Sequence, residues 1–146
     1  MTPGASRRPD PAARVRALLE DLADALDRDD SGRVLALLSR DVVYRFRDVV
    51  YEGPEHVARS YADAARWGRE HLDSLVYESE VESAHAGGGT VLFTDRMRHA
   101  GSDHVHRCRQ HVVVGTDGLV ASIEHEDLPG EREAVADWFA KVGLER

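Results

Sequence analysis

Residues 90–131, TVLFTDRMRHAGSDHVHRCRQHVVVGTDGLVASIEHEDLPGE, constrain the fold of this chain more than any other stretch. They hold three consecutive runs of alternating polar and apolar residues joined by short glycine-bearing turns, the pattern of neighbouring strands with one wet face and one buried face. In the first run Val91, Phe93, Asp95, Met97 and His99 oppose Leu92, Thr94, Arg96 and Arg98. The arginines mark the second face as the wet one, which leaves the Asp95 carboxylate on the apolar side between Phe93 and Met97. After the TDG turn at 116–118, Leu119, Ala121, Ile123, His125 and Asp127 oppose Ser122, Glu124 and Glu126. The middle run is ambiguous, with His104, His106, Cys108, Gln110 and Val112 on one face and Val105, Arg107, Arg109, His111 and Val113 on the other. Turning the Cys108 and Gln110 face inward avoids burying two arginines without evident partners. His111 is the residue whose side this choice settles least.

The preceding residues supply helices to cover such a sheet. Residues 1–10 are rich in Pro, Gly and Ser and are expected to form a mobile tail ahead of one domain spanning 11–146. Val15, Leu18, Leu19, Leu22 and Leu26 then repeat at helical spacing. Asp30 or Ser31 is placed to cap a shorter helix carrying Val34, Leu37 and Leu38. From Asp41 the chain alternates as a strand with Tyr44 and Phe46 inward, followed by a turn or second strand near Tyr51. Gly53-Pro54-Glu55 opens a third helix, whose packed face collects Val57, Tyr61, Ala64, Ala65, Gly68 and Leu72, with Trp67 at its margin. A strand over about 75–83 turns Leu75, Tyr77, Ser79 and Val81 to one side, and Gly87-Gly88-Gly89 leads into the three runs above. Beyond Pro129-Gly130, the spacing of Val135, Trp138, Phe139 and Val142 predicts a closing helix ended at Gly143.

The expected class is therefore α+β: a strongly bent antiparallel sheet curled over three N-terminal helices, with a short C-terminal helix. A chain of 146 residues is long enough to bury a sizeable core. Its one cysteine forms no internal disulfide, and no apolar run approaches the ~20 residues that span a bilayer. The first residues carry arginines with no apolar segment behind them, so a cytoplasmic protein is expected. The net charge of −8 argues against a nucleic-acid partner.

Chemistry concentrates on the inward sheet face. A carboxylate on an apolar strand is costly unless paired or protonated, and burial moves its pKa toward the range a general acid or base needs. Asp95 is thus the first catalytic candidate. His125, sharing a face with Ile123, is the second, either orienting Asp95 or transferring a proton itself. Tyr44, Phe46, Tyr61, Trp67, Tyr77, Phe93 and Met97 are the natural apolar lining of any cavity. His99, Cys108, Gln110, His111, Ile123 and Asp127 complete the lining, Asp127 as a turn or cap residue before LPGE and Cys108 as a small core residue. The run His104-x-His106-x-Cys108 offers three ligand types on one face but no fourth, so no metal is assigned.

The first helix followed by LALLSRDVVYRF, the YEGPEHV entry to the third helix and the VVVGTDGLVASIEHEDLPGE ending together resemble the NTF2-like superfamily, in its SnoaL-like (polyketide cyclase-like) branch. The resemblance covers most of the chain from about Pro11. It implies a cavity between bent sheet and helices, and commonly a homodimer on the outer sheet face. A small hydrophobic ligand or substrate is expected, with no cofactor and no membrane or nucleic-acid partner. Isomerases, cyclases, dehydratases, epoxide hydrolases and plain binding proteins share this fold. The first helix lacks the tyrosine of ketosteroid isomerase-like members. Phe93 stands where limonene epoxide hydrolase-like members carry an arginine, two residues before the strand aspartate. Scytalone dehydratase-like members use paired histidines and tyrosines with an aspartate, residue types present here as His99, His111, His125, Tyr44 and Tyr61. A pocket aspartate with a histidine, as in polyketide cyclase-like members, is the closest match, carried by Asp95 and His125. The expected activity is acid/base isomerisation, cyclisation or dehydration of an apolar cyclic or polyketide-like substrate, with a ligand-binding or dimerisation module as the alternative.

Overall fold

The structure, a computed structural model, describes residues 10–145. The tail expected over 1–10 lies outside the described residues, except for Asp10. That carboxylate accepts a hydrogen bond from the Ala13 N–H (2.8 Å) and caps helix α1 (Pro11–Asp27), whose first position is a proline that needs no partner for an N–H. Val15, Leu19 and Leu22 form the buried stripe of α1. Asp30 caps α2 (Ser31–Leu37) by accepting from the Arg33 N–H at 3.2 Å. Leu38, expected on the stripe of this helix, instead begins strand β1 (Leu38–Phe46).

A two-residue turn, Arg47-Asp48, joins β1 to β2 (Val49–Glu52), with Arg47 in the left-handed region at φ +54°. Helix α3 (Pro54–His71) follows and buries Val57, Ala58, Ala65 and Gly68. Then come β3 (Ser74–His85), β4 (Gly88–His99), β5 (Ser102–Val114), β6 (Val120–Asp127) and α4 (Glu131–Lys141). Gly143, at φ +79°, sits just past the end of α4, as the sequence predicts.

The six strands form one sheet in the order β2-β1-β6-β5-β4-β3. Strands β3 to β6 are an antiparallel meander joined by tight turns. The expectation of a wholly antiparallel sheet is corrected at one pair, because β1 runs parallel to β6. No hairpin joins these two, and the long path through α3 and four strands leaves their relative direction free of turn geometry. The sheet is therefore mixed. Irregular register between Val81 and Ser83 on β3 falls beside Gly88 and Gly89, where a Cβ on Gly89 would run into the Ser83 carbonyl and the Leu19 side chain. Such a bulge sharpens twist and lets the sheet curl over α1. A second irregularity at Val113/Val114 buries Val120 in place of the neighbouring Leu119 and Ala121 of the expected alternation.

The main core fills the space between α1, α2, α3 and the sheet, with Leu19, Leu22, Val42, Val57, Val91, Val120 and Ile123 fully enclosed. A smaller cluster of Leu72, Leu75, Met97 and Trp138 seats α4. There the Trp138 Nε1–H donates to Ser102 Oγ at 2.9 Å. Among the described residues no helix is long and apolar enough to cross a membrane.

Candidate functional site

Strand register lays the inward side chains out in rows. Tyr77, Asp95 and His106 are successive partners across β3, β4 and β5; Ser79, Phe93, Cys108 and Asp127 form the next row, and Val81, Val91, Gln110 and His125 the one after. Beyond them lie Val112, Ile123, Tyr44 and Tyr51. The face carrying Cys108 and Gln110 is the inward one.

Over these rows opens a cavity of about 520 Å³, within the ~300–1,000 Å³ usual for small-molecule sites. The sheet contributes Tyr44, Phe46, Tyr77, Phe93, Asp95, Met97, Cys108, Gln110 and His125 to its wall, and α3 contributes Tyr61 with Ala58, Ala62, Ala64 and Ala65. Small residues on α3 are what leave the space open. Val135, Ala136 and Phe139 of α4 close one side, while the end of α1 and the start of α2 form another.

Five expected lining residues do not reach the cavity. His111 lies on the opposite sheet face, where its Nε2 is 2.7 Å from Glu126 Oε1. Ile123 is wholly buried in the core beneath Tyr44. His99, the last residue of β4, has its Nδ1 3.6 Å from an Asp73 oxygen, beyond the end of the pocket. Trp67 turns off the sheet-facing stripe of α3 to stack on His71 (4.6 Å) and meet the edge of Phe139 (5.5 Å). Asp127 holds the wall residue His125 rather than forming the wall.

His125 has both ring nitrogens accounted for. Its Nε2 lies 2.9 Å from Asp127 Oδ1, its Nδ1 is buried with no hydrogen-bond partner, and the side chain is 5% exposed. Hydrogen bonds from Arg47 hold the Asp127 carboxyl far below the usual carboxylate range, so it is ionised and the shared proton belongs to His125 Nε2. Nδ1 is then the ring nitrogen that no protein group engages. Asp95 is on the same cavity wall but is not a hydrogen-bond partner of His125. Its β5 partner, His106, is four residues from Gln110, the partner of His125, or about 13 Å along the strand at ~3.3 Å per residue.

A polar bridge spans the cavity floor beside His125. The Tyr61 O–H donates to Gln110 Oε1 (2.6 Å), the Gln110 amide donates to Tyr44 Oη (2.9 Å), and the two phenol rings stack at 5.0 Å. Gln110 is 5% exposed. Three groups with two phenolic protons use only one of them on the amide, and reversing the amide exchanges which one. One phenolic O–H is therefore not taken up by Gln110 in either arrangement. Burial pushes both tyrosines well above their ordinary pKa, so both remain protonated donors.

Burial, reinforced by the nearby charges of Asp95 and Asp127, pushes the Cys108 thiol up to about 12, so it is a neutral wall residue and no nucleophile. Burial lowers the pKa of His106, whose Nδ1 lies 3.7 Å from Glu131 Oε2. His104 stacks on Trp138 at 5.4 Å, and among the described residues no three His, Cys, Asp or Glu side chains converge as metal ligands would.

Among the cavity residues that escaped the expectations are His106, Arg47, Arg132 and Asp27. His106 shares the parity of Cys108, so strand periodicity alone places it. Arg47 sits in a turn, where no periodicity applies. Asp27 accepts hydrogen bonds from the Ser79 N–H and hydroxyl and ties the end of α1 to β3, a contact across 52 residues with no local signal.

No protein-family model matches this sequence, and no curated protein matches it. Among solved structures 365 chains match, so the architecture is too common to select an activity. An M. tuberculosis LEH-like epoxide hydrolase is similar over 89% of this chain and 94% of its own, with a TM-score of 0.63 at 16% identity. A de novo designed protein with a curved β-sheet is similar over 88% and 96%, with a TM-score of 0.56 at 18% identity. An enzyme and a designed scaffold thus share this backbone, and the likeness carries the fold alone. The chain has the α+β cone of NTF2-like proteins, its mixed sheet curled around a cavity without closing on itself.

Proposed function

We propose that this chain is a cofactor-independent enzyme of the SnoaL-like type that moves protons on an apolar cyclic or polyketide-like carbonyl compound. One observation carries the reading: His125, a residue of the cavity wall, has a buried and unpartnered Nδ1 while Asp127 holds its other nitrogen. That arrangement suits a general base. In the proposed step Nδ1 takes a proton from the carbon beside a substrate carbonyl, and the electron pair moves onto the carbonyl oxygen. A phenol of the Tyr44–Gln110–Tyr61 bridge, whose two tyrosines also bond each other, turns its O–H to the oxygen and steadies that developing charge. Asp95, farther along the cavity, is the second proton-transfer group, and which substrate atom it serves decides between isomerisation, cyclisation and dehydration.

The test is solvent deuterium uptake into a panel of cyclic 1,3-diketones and aryl ketones, followed by mass spectrometry. His125→Gln should abolish protein-dependent exchange, and Asp95→Asn should stop product formation while leaving the fold intact by circular dichroism. Equal exchange by wild type and His125→Gln would remove the claim. A binding protein without turnover is the second reading, favoured by the mainly aliphatic and aromatic wall; it predicts ligand retention without exchange. We also read the outer sheet face, where Val76 and Val113 stand half exposed, as the contact of a homodimer, which sedimentation velocity would test.

A further inference from the structure

We propose that Arg47 is a positioning residue for His125, acting through Asp127. The inference rests on His125 as the proton acceptor and extends that assignment to the turn between β1 and β2. The Arg47 guanidinium grips both carboxylate oxygens, Nε donating to Oδ2 at 2.8 Å and Nη2 to Oδ1 at 2.9 Å. Oδ1 is also the atom that His125 Nε2 reaches at 2.9 Å. A carboxylate held by a planar fork cannot rotate about its own axis without breaking an N–H···O bond. Its remaining acceptor direction is thereby fixed, and so is the orientation of the imidazole that donates to it.

Two further contacts brace the same ring. The Arg47 guanidinium carbon sits 4.6 Å from the Phe46 ring centroid, and Phe46 packs against His125 with centroids 4.5 Å apart. Phe46 thus touches both the guanidinium and the imidazole, so His125 is fixed by packing as well as by its hydrogen bond. The Arg47 side chain is only 30% exposed, and Asp127 24%, so water competes weakly for the bonds between them.

Arg47 occupies a backbone position ill suited to it. At φ +54° in a two-residue turn, glycine or asparagine is the residue that backbone energetics favours. What the arginine supplies is the reach of its side chain across to β6, from 80 residues away in sequence. A role confined to closing the turn would be served better by glycine.

That contrast gives the experiment. Arg47→Gly relieves the turn and deletes the fork, so the stability of the hairpin and the order of His125 are separated. The readout is the pair of His125 ring nitrogen resonances at neutral pH, in uniformly ¹⁵N-labelled full-length protein. Wild type should show one protonated nitrogen, Nε2, and one bare nitrogen, Nδ1. In Arg47→Gly the two signals should move toward a common average of both tautomers while the far-UV spectrum is retained. Arg47→Lys, which keeps the charge and loses the fork, should give an intermediate pattern, and serves as the test should the glycine variant not fold. Wild-type signals in either variant would overturn the role of Arg47 alone. A wild-type ring protonated on Nδ1 would instead overturn the general-base assignment itself.

Discussion

Gln110 and His125 are direct partners in the register of β5 and β6. One places two phenols by its side-chain amide, and the other carries the orphaned imidazole nitrogen, so a hydrogen-bond donor and a proton acceptor meet on a single row of the sheet.

The amide bridge should be costly to break from one side. Tyr44→Phe strands the buried Gln110 amide N–H, and Tyr61→Phe strands its carbonyl oxygen. Each is expected to destabilise the fold by about 1–3 kcal/mol in urea titration, the cost of a buried polar group left without a partner. Adding Gln110→Leu to Tyr44→Phe should cost less than the sum of the two single changes. Strict additivity would show that the three groups do not act as a unit.

Acidification should act in two separate windows. Burial lowers the His106 pKa, so the folded state resists protonating it and stability should fall as pH drops below the ordinary value of 6.5. Asp127 shifts the other way in charge, because Arg47 favours its ionised form. Its stabilisation is fully present above the ordinary value of 3.8 and lost as pH falls through its depressed folded-state value. Denaturation midpoints across pH 7 to 2 should therefore flatten near pH 6 in His106→Gln and below pH 4 in Asp127→Asn. The same slope in wild type and variant, in either window, would contradict the assignment there.

Helix α4 depends on one anchor. Trp138 is buried, stacks near His104 and donates to Ser102. Trp138→Ala should cost about 3–5 kcal/mol, the range for large aromatic truncations. Because Val135 and Phe139 on the same helix line the cavity, amide exchange in α4 should rise more than in β6. Uniform acceleration throughout would mean that α4 is not a separate unit.

Two glycines should respond in opposite ways to alanine. At Gly89 a Cβ would strike the Ser83 carbonyl, a backbone group that cannot give way, and a loss of at least about 3 kcal/mol is expected. At Gly68 the Cβ would meet only the tip of Leu75, which can turn aside, and the gain in helix propensity of about 1 kcal/mol offsets the adjustment. Thermal melts of the two variants decide this, and equal melting points would refute it.

Much of this fold is legible because strand parity is a local rule. Asp95, Cys108, Gln110 and His125 all stand on the face that alternation assigns them, and His106 follows from the same count. Parity also excludes His111, once the arginines on its face are placed toward solvent. What alternation cannot supply is contact between distant elements. Trp67 sits on an inward-leaning helix but turns toward α4, whose docking angle no helical repeat specifies. His99 shares a face with Asp95 yet lies past the end of the cavity, since periodicity gives a side and not a depth. The partner of His125 is Asp127 rather than Asp95, and the arginine that grips Asp127 comes from a turn 80 residues away.

That separation governs when the cavity comes into being. Strand β1 finds its inner neighbour only in β6, so during synthesis it waits beside β2 until nearly the whole chain has emerged. Contacts so far apart in sequence close slowly and late. The meander of β3 to β5 has only local pairings to make and is free to assemble early, whereas Phe46, Arg47, His125 and Asp127 meet at the final seam. A nascent chain halted before β6 would thus display Asp95 and part of the pocket wall without His125 or Asp127, and the His125 environment would be acquired only when β6 pairs with β1.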